Sequence, residues 1–418
     1  MAAPGTYPVP PGRGRWRLTL HRRAYATLRP PQTGISELTD ARSRKLVQAL
    51  NQPATLSFTL DGRSPAAQSI QELSHDVIGW RWDDQTNKDV LAFRGVIAQS
   101  QDTLSEQAHT VAFTCHDYLA MMKRRYLTAA TPRVFTAVDQ DTIASTLIGL
   151  ATTVTSANGA TNFYPGSYLP MSYMYVSSDG TQRAAPSGQV RDRTFPGQTN
   201  LGEALDNLSK VINGFDYDLW PTSDNWGSDT VRIFYPYQGV QRSSPQLVYG
   251  STVSTITRNV DSADYANYQR NVGNNGSADP AAAQLFGEAW NADANNVTVA
   301  TQGLWMNAAN ASDVVLKQTL MDKANGDLGR SGLLIPHYAA GLRPGAYSWG
   351  NPNMGDVVPL IIQSGRLNVN TTIRVVGITY DIGDDGQEDV QLVLGRPDTT
   401  IADIFGSTDR DVDALARR

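Results

Sequence analysis

Thr55-Leu56-Ser57-Phe58-Thr59-Leu60-Asp61-Gly62 decides the fold. Leu56, Phe58 and Leu60 alternate with Thr55, Ser57 and Thr59, the period of a strand with one buried face, and Asp61-Gly62 supplies the turn that ends it. The same alternation recurs on either side. Trp16, Leu18 and Leu20 alternate with Arg15, Arg17, Thr19 and His21; Val111, Phe113 and Cys115 alternate with Thr110, Thr114 and His116. Leu91–Ala98, Asp216–Trp220, Thr230–Tyr235, Val357–Gln363, Thr372–Ile382 and Asp389–Leu394 add further strands. Such one-sided burial is how antiparallel sheets and barrels read.

Short helices are expected between the strands. Thr39 or Asp40 caps one to about Leu50, with Leu38, Leu46 and Leu50 on one side. Asp141 opens a second, striped by Ile143, Leu147 and Ile148. Asn200 caps a third that runs to Asn213, with Glu203 three residues on, a stripe of Leu201, Leu205, Leu208 and Ile212, and Gly214 as its stop. Ser312 starts a fourth that ends at Asn325-Gly326, and Pro280 starts a fifth to about Trp290. Thr152–Gly197 is rich in Thr, Ser, Gly, Pro and Tyr and reads as an elaborated loop, as does Asn271–Asn310. No internal repeat is visible. The expected class is α+β, mostly β, with two separate strand-rich units at 1–127 and at 231–270 plus 345–397. A helical and loop block at 128–230 carries the 152–197 insertion, a helical insert spans 271–344, and 398–418 forms a tail.

The 418 residues carry a net charge of −5, which disfavours a dedicated nucleic-acid binder. Cys115 is the only cysteine, so no intramolecular disulfide forms and a cysteine-based metal site is not expected. Met1–Gly14 has no apolar run of a secretory signal, and no stretch approaches the ~20 apolar residues of a membrane helix. The expectation is a soluble chain made in a cytoplasm, without membrane anchoring. Lysine occurs only at 45, 88, 123, 210, 317 and 323, and the remaining basic residues are arginine, which implies a GC-rich genome.

Several constellations contain catalytic residue types. Cys115-His116-Asp117 is disqualified by adjacency, because neighbouring strand residues face opposite sides, and Cys115 continues the apolar face of Val111 and Phe113. Asp216 and Asp218 share a strand face about 6.6 Å apart, a spacing open to a glycosidase pair, but Asp-x-Asp is common on solvated strand faces. Asp384-Asp385-Gly386 with Glu388 and Asp389 reads as a hairpin turn, since the alternating oxygen ligands of a Ca²⁺ loop are missing. Lys123-Arg124-Arg125 is the densest basic run and suits a solvated junction, DNA or an acidic partner. The tryptophans at 80, 82, 220, 226, 290, 305 and 349, and the tyrosines of Tyr164–Tyr175, suit core or interface, or sugar stacking. The histidines at 21, 75, 109, 116 and 337 have no metal spacing, and no phosphate loop or nucleophile elbow occurs. No catalytic, cofactor-binding or metal-ligating residue is assigned, no cofactor is expected, and the chain is not expected to be an enzyme.

The order of elements resembles phage baseplate hub and tail-associated minor tail proteins. Leu50–Leu60 is similar to their Ser-Phe-x-Leu strand; Phe93-Arg94-Gly95-Val96-Ile97 and His109–Leu119 follow in order. Asn200–Trp220, Asn267–Gly273, the Gly-Asp-x-Val start at Gly355-Asp356-Val357-Val358 and the closing hairpin Thr372–Gly395 complete the set. The GC-rich signature fits long, non-contractile tails of actinobacterial phages. The resemblance implies a homotrimer whose subunits each carry two similar β-barrel-type domains, so that six barrels adapt a hexameric tail tube to a threefold tip in the virion. It also implies tail-tube, distal-ring, tape-measure and other tip proteins as partners, DNA passing through the lumen without specific binding, and 398–418 as a docking arm. The alternatives are a hexameric distal tail adaptor ring, a glycosidase using Asp216 and Asp218, and a glycan binder using the tyrosine-rich insertion.

Overall fold

The computed structural model describes residues 16–22, 33–83, 85–128, 131–153, 169–210, 213–221, 229–260, 262, 265–273, 284–290, 302–311, 317–331, 336–384 and 386–395. The expected tail 398–418, Trp226, the tyrosine run before Tyr173 and the starts of the helices expected at Pro280 and Ser312 lie outside these residues.

Seven strands come first: β1 (Trp16–Arg22), β2 (Thr33–Glu37), β3 (Arg42–Ala49), β4 (Thr55–Asp61), β5 (His75–Asp83), β6 (Lys88–Leu104) and β7 (His109–His116), with a short helix α1 (Pro65–Ser69) after β4. A mixed block follows: α2 (Tyr118–Met122), β8 (Arg133–Asp139), α3 (Gln140–Thr152), β9 (Met171–Val176), β10 (Val190–Phe195), α4 (Leu201–Ser209), β11 (Asp216–Trp220) and β12 (Asp229–Phe234). The remainder is β13 (Leu247–Val248), β14 (Val253–Asn259), β15 (Tyr268–Gly273), β16 (Leu285–Trp290), β17 (Met306–Ala311), α5 (Lys317–Ser331), β18 (His337–Leu342), β19 (Val357–Ser364), β20 (Leu367–Ile382) and β21 (Glu388–Leu394). The chain is mostly β, in curled sheets whose pairings are largely antiparallel, with β9–β12, β13–β19 and β15–β17 parallel.

The alternation read from Leu56, Phe58 and Leu60 is the burial pattern of β4, and Phe58 stacks on Phe113 of β7 with ring centroids 5.3 Å apart. Burying each such side chain contributes about 1.5–3 kcal/mol. The two strand-rich blocks are not separate. They form one 13-stranded sheet in the order β14-β18-β21-β20-β3-β4-β7-β6-β5-β1-β2, with β19 pairing β20 and β13 pairing β19. The join is β3 against β20, in the register Leu46↔Tyr380. A single hydrophobic cluster accordingly contains Leu56, Phe58 and Phe113 together with Leu360, Ile378 and Leu392.

Residues 42–49, expected as a helix, are therefore the connecting strand. Leu46 and Leu50 are four apart, a spacing that suits a period of two as well as a helix, and hydrogen bonding to β4 and β20 on both sides decides for the strand.

The mixed block forms a second cluster, in which α3 and α4 pack on β11, β12 and β9. Asp139, not Asp141, caps α3, its Oδ1 accepting from Asp141 N at 2.8 Å. Asn200 caps α4 as expected, accepting from Gly202 N and Glu203 N at 3.0 and 3.1 Å. That helix ends at Ser209, and the left-handed position beyond it is Asn213, with φ 55°. The expected insertion 152–197 is not all loop, since it supplies β9, parallel to β12, and β10, antiparallel to β8.

A separate compact unit, Arg258–His337, replaces the helical insert expected at 271–344. It holds the three-stranded sheet β16-β15-β17, with Ala289 packing against Ala324 and Leu328 of α5. Leu285–Trp290, expected as helix, is a strand because it pairs in register along β15, Tyr268↔Trp290 to Gly273↔Leu285. Helix α5 runs through Asn325-Gly326, the pair expected to end it. Among the described residues, no helix is long and apolar enough to cross a membrane.

Candidate functional site

Cys115, His116 and Asp117 leave the end of β7 in three directions. Cys115 is buried in the core opposite Leu56, and burial pushes its thiol well above the ordinary range. His116 lies on the other face, its Nδ1 3.2 Å from Thr55 Oγ1, and partial burial pushes its imidazole down. Asp117 caps α2, accepting from Leu119 N at 3.0 Å, and also accepts from Ala54 N at 2.8 Å. Burial pushes its carboxyl up to about 7, against the downward pull of those N–H donors. Nothing in this arrangement joins a thiolate to a base.

Asp216 and Asp218 do share one face of β11, but the face is not the solvated one expected from the sequence. Asp216 is 5% exposed and Asp218 is half-buried. Asp216 accepts from Arg374 Nη2 at 2.5 Å, from Gln238 N at 2.9 Å and from Asn51 Nδ2 at 2.9 Å. Asp218 accepts from Arg232 Nε at 2.8 Å and from Gln238 Nε2 at 2.9 Å. Each carboxylate is thus committed to its own arginine, with Gln238 bridging both, an arrangement that holds β11, β12 and β20 together.

Next to this network is a cavity of about 180 Å³ that opens to solvent. Asp117, Asp218, Arg232 and Gln238 contribute to its wall, with Gln48 and Gln52 from around β3, Trp220 from the end of β11, and Tyr347, Trp349 and Asn353 from the segment before β19. Trp220 is 40% exposed, and the Arg232 guanidinium lies 4.3 Å from its ring centroid.

The other expected features have structural roles. The turn at Asp384 and Gly386 closes the β20–β21 hairpin, Gly383 N donating to Gln387 O at 2.8 Å. Lys123 pairs with Asp206 at 3.0 Å and Arg125 Nη1 donates to Ala151 O at 2.7 Å, so these two cations tie α2 to α4 and α3, while Arg124 is exposed. His21 pairs with Thr19 and His109 with Asp102. Among the described residues, no three His, Cys, Asp or Glu side chains cluster as a metal site. Trp349 packs on Tyr380 and Trp16, whereas Trp220, Trp290 and Trp305 are exposed.

Sequence reasoning missed the buried ion pairs Arg81–Glu388, Arg94–Asp229, Arg183–Asp141 and Arg242–Asp356. A signal existed for the first: Arg81 has the parity of core residue Val77 along β5, so it had to point inward.

The chain shares the fold of phage tail proteins. The 43 kDa tail protein of prophage MuSo2 from Shewanella oneidensis superposes with a TM-score of 0.54 at 11% identity, over 92% of this chain and 99% of that one. The prophage tail protein gp18 from Listeria monocytogenes superposes with 0.53 at 10% identity, over 96% and 99%. The tail protein from Neisseria meningitidis gives 0.54 at 10% identity, over 91% and 97%. No protein-family model matches the sequence, and no curated protein does.

Proposed function

We propose that the chain is a structural subunit of a phage tail tip, a baseplate hub that acts by assembly and not by catalysis. The observation that carries this reading is the near end-to-end superposition on three phage tail proteins, which leaves no large part of the chain over for a separate enzyme. The pairing of both candidate carboxylates with arginines agrees with it.

In this reading three copies form a ring in the virion. Each contributes two strand-rich lobes of its 13-stranded sheet, so that six lobes meet a hexameric tube on one side and threefold tip proteins on the other. The lobes would be the two similar barrel-type domains, and DNA and tape-measure protein would pass through the ring without being held. A long non-contractile tail of an actinobacterial phage is the setting that suits the arginine-rich composition.

The test is cryo-EM of the tail tip in the purified particle. Three copies, each giving two lobes to a sixfold ring, is the expected result. Six equivalent copies would make the chain a distal adaptor ring, and absence from the particle would overturn the structural reading.

A further inference from the structure

The cavity beside the Asp216–Asp218 network has no part in the assembly reading. We propose that it binds a single neutral, polyhydroxylated ring: one hexose unit, at the end of a glycan chain.

Its size sets the first limit. About 180 Å³ is the space of about six waters, enough for one ring and too little for an oligomer. Its charges set the second. Asp218 in the wall disfavours an anion, and Arg232 already serves Asp218 through Nε at 2.8 Å, so it offers no uncommitted cation to a phosphate or sulfate. A cationic ligand fares no better, because Arg232 occupies both the carboxylate of Asp218 and a position 4.3 Å from the Trp220 ring centroid.

What remains is suited to hydroxyls. Gln48 lines the cavity with an amide that both donates and accepts, as sugar hydroxyls do, while Gln52 and Asn353, whose oxygens already accept from Lys123 Nζ at 3.2 Å and Met354 N at 2.9 Å, add amide donors. Trp220, 40% exposed, offers apolar ring surface for the C–H face of a sugar, and Trp349, which packs against Arg81 and Tyr380, adds apolar lining. Gln238 backs the wall: it is 2% exposed and its Nε2 is fixed on Asp218 at 2.9 Å, so it holds the cavity's shape and does not itself meet a ligand.

The test is saturation-transfer NMR on the full chain with the methyl glycosides of glucose, galactose, mannose and N-acetylglucosamine. At least one is expected to give saturable transfer with affinity near about 1 mM. Gln48→Ala, which alters the wall away from the Arg232–Asp218 pair, should weaken it about tenfold with the circular dichroism spectrum and unfolding midpoint at the wild-type values, and Trp220→Ala, which also removes the ring beside Arg232, should weaken it about tenfold in a protein that keeps the wild-type circular dichroism spectrum. Absence of saturable transfer from all four glycosides would reduce the cavity to a hydrated void and overturn the proposal, as would unchanged binding to Trp220→Ala.

Discussion

Arg81 and Glu388 are 307 residues apart in the chain and meet inside the protein, Arg81 Nε donating to Glu388 Oε2 at 3.0 Å while Trp16 Nε1 donates to the same oxygen at 2.8 Å. Their strands are not neighbours: β20, β3, β4, β7 and β6 lie between β21 and β5 in the sheet. Only a sheet that curls back on itself brings such side chains together, so this pair marks the closure of the core.

Removing one partner should therefore be costly. Arg81→Met leaves the Glu388 carboxylate buried without its arginine, and the expected loss is about 3–5 kcal/mol. The double variant Arg81→Met, Glu388→Leu should lose less than Arg81→Met alone, because no charge is stranded. Chemical denaturation followed by tryptophan fluorescence measures both; a single variant within about 1 kcal/mol of wild type would mean the pair is solvated.

Gly239 and Gly355 lie back to back. Gly239 has φ +90°, and a Cβ on it would stand 2.0 Å from Gly355 C; Gly355 has φ +83°, and its Cβ would stand 2.2 Å from Gln238 O. Both contacts are with backbone, which cannot swing aside, so Gly239→Ala and Gly355→Ala should prevent soluble folding. Gly365 at φ +53° has open space around its Cβ position, so Gly365→Ala should cost only about 1–2 kcal/mol. Soluble yield and unfolding midpoints separate the cases; three equal losses would show that φ and not close approach governs all three sites.

The same glycines show what was legible in the sequence. The Gly355-Asp356 step could be recognised as a strand start, and its physical basis is plain: Gly355 admits the Gln238 carbonyl, while Asp356 accepts from Val240 N at 2.9 Å and Asn353 N at 2.8 Å. The strands at 55–61, 109–116 and 216–220 were readable because each shows one clean period. The 42–49 strand is not legible in this way, since Leu46 and Leu50 fit two periods, and the joint between the strand-rich blocks runs through it. The candidate cavity was invisible for another reason: Gln48, Trp220, Gln238 and Trp349 come from four separated segments, and only tertiary packing puts them on one wall.

The two candidate carboxylates should differ in structural weight. Asp216, with three donors and little exposure, should cost about 3–5 kcal/mol as Asp216→Asn, because Arg374 keeps a buried charge. Asp218, whose side chain is 23% exposed, should cost about 1–3 kcal/mol as Asp218→Asn. Denaturation midpoints give the order. The reverse order, or a cell-wall-degrading activity abolished by Asp218→Asn in a protein that remains folded, would return β11 to consideration as a catalytic strand.

Asp117 carries a pH dependence whose sign follows from its environment. Burial raises its carboxyl from the ordinary 3.8 to about 7, so between those values the folded protein binds more protons here than the unfolded chain does. Stability contributed by this group is then fully present below the lower value and is lost as pH rises through the upper one. Asp117→Asn keeps an acceptor for Leu119 N but sets an amide donor against Ala54 N–H, at a cost of about 1–3 kcal/mol. Because the variant cannot titrate, the stability gap between it and wild type should be widest near pH 5 and should narrow towards pH 7.5. Urea denaturation of both proteins at the two pH values measures the gap. A gap of constant size would mean that the three backbone N–H donors, from Ala54, Leu119 and Ala120, outweigh burial and keep the carboxylate charged throughout.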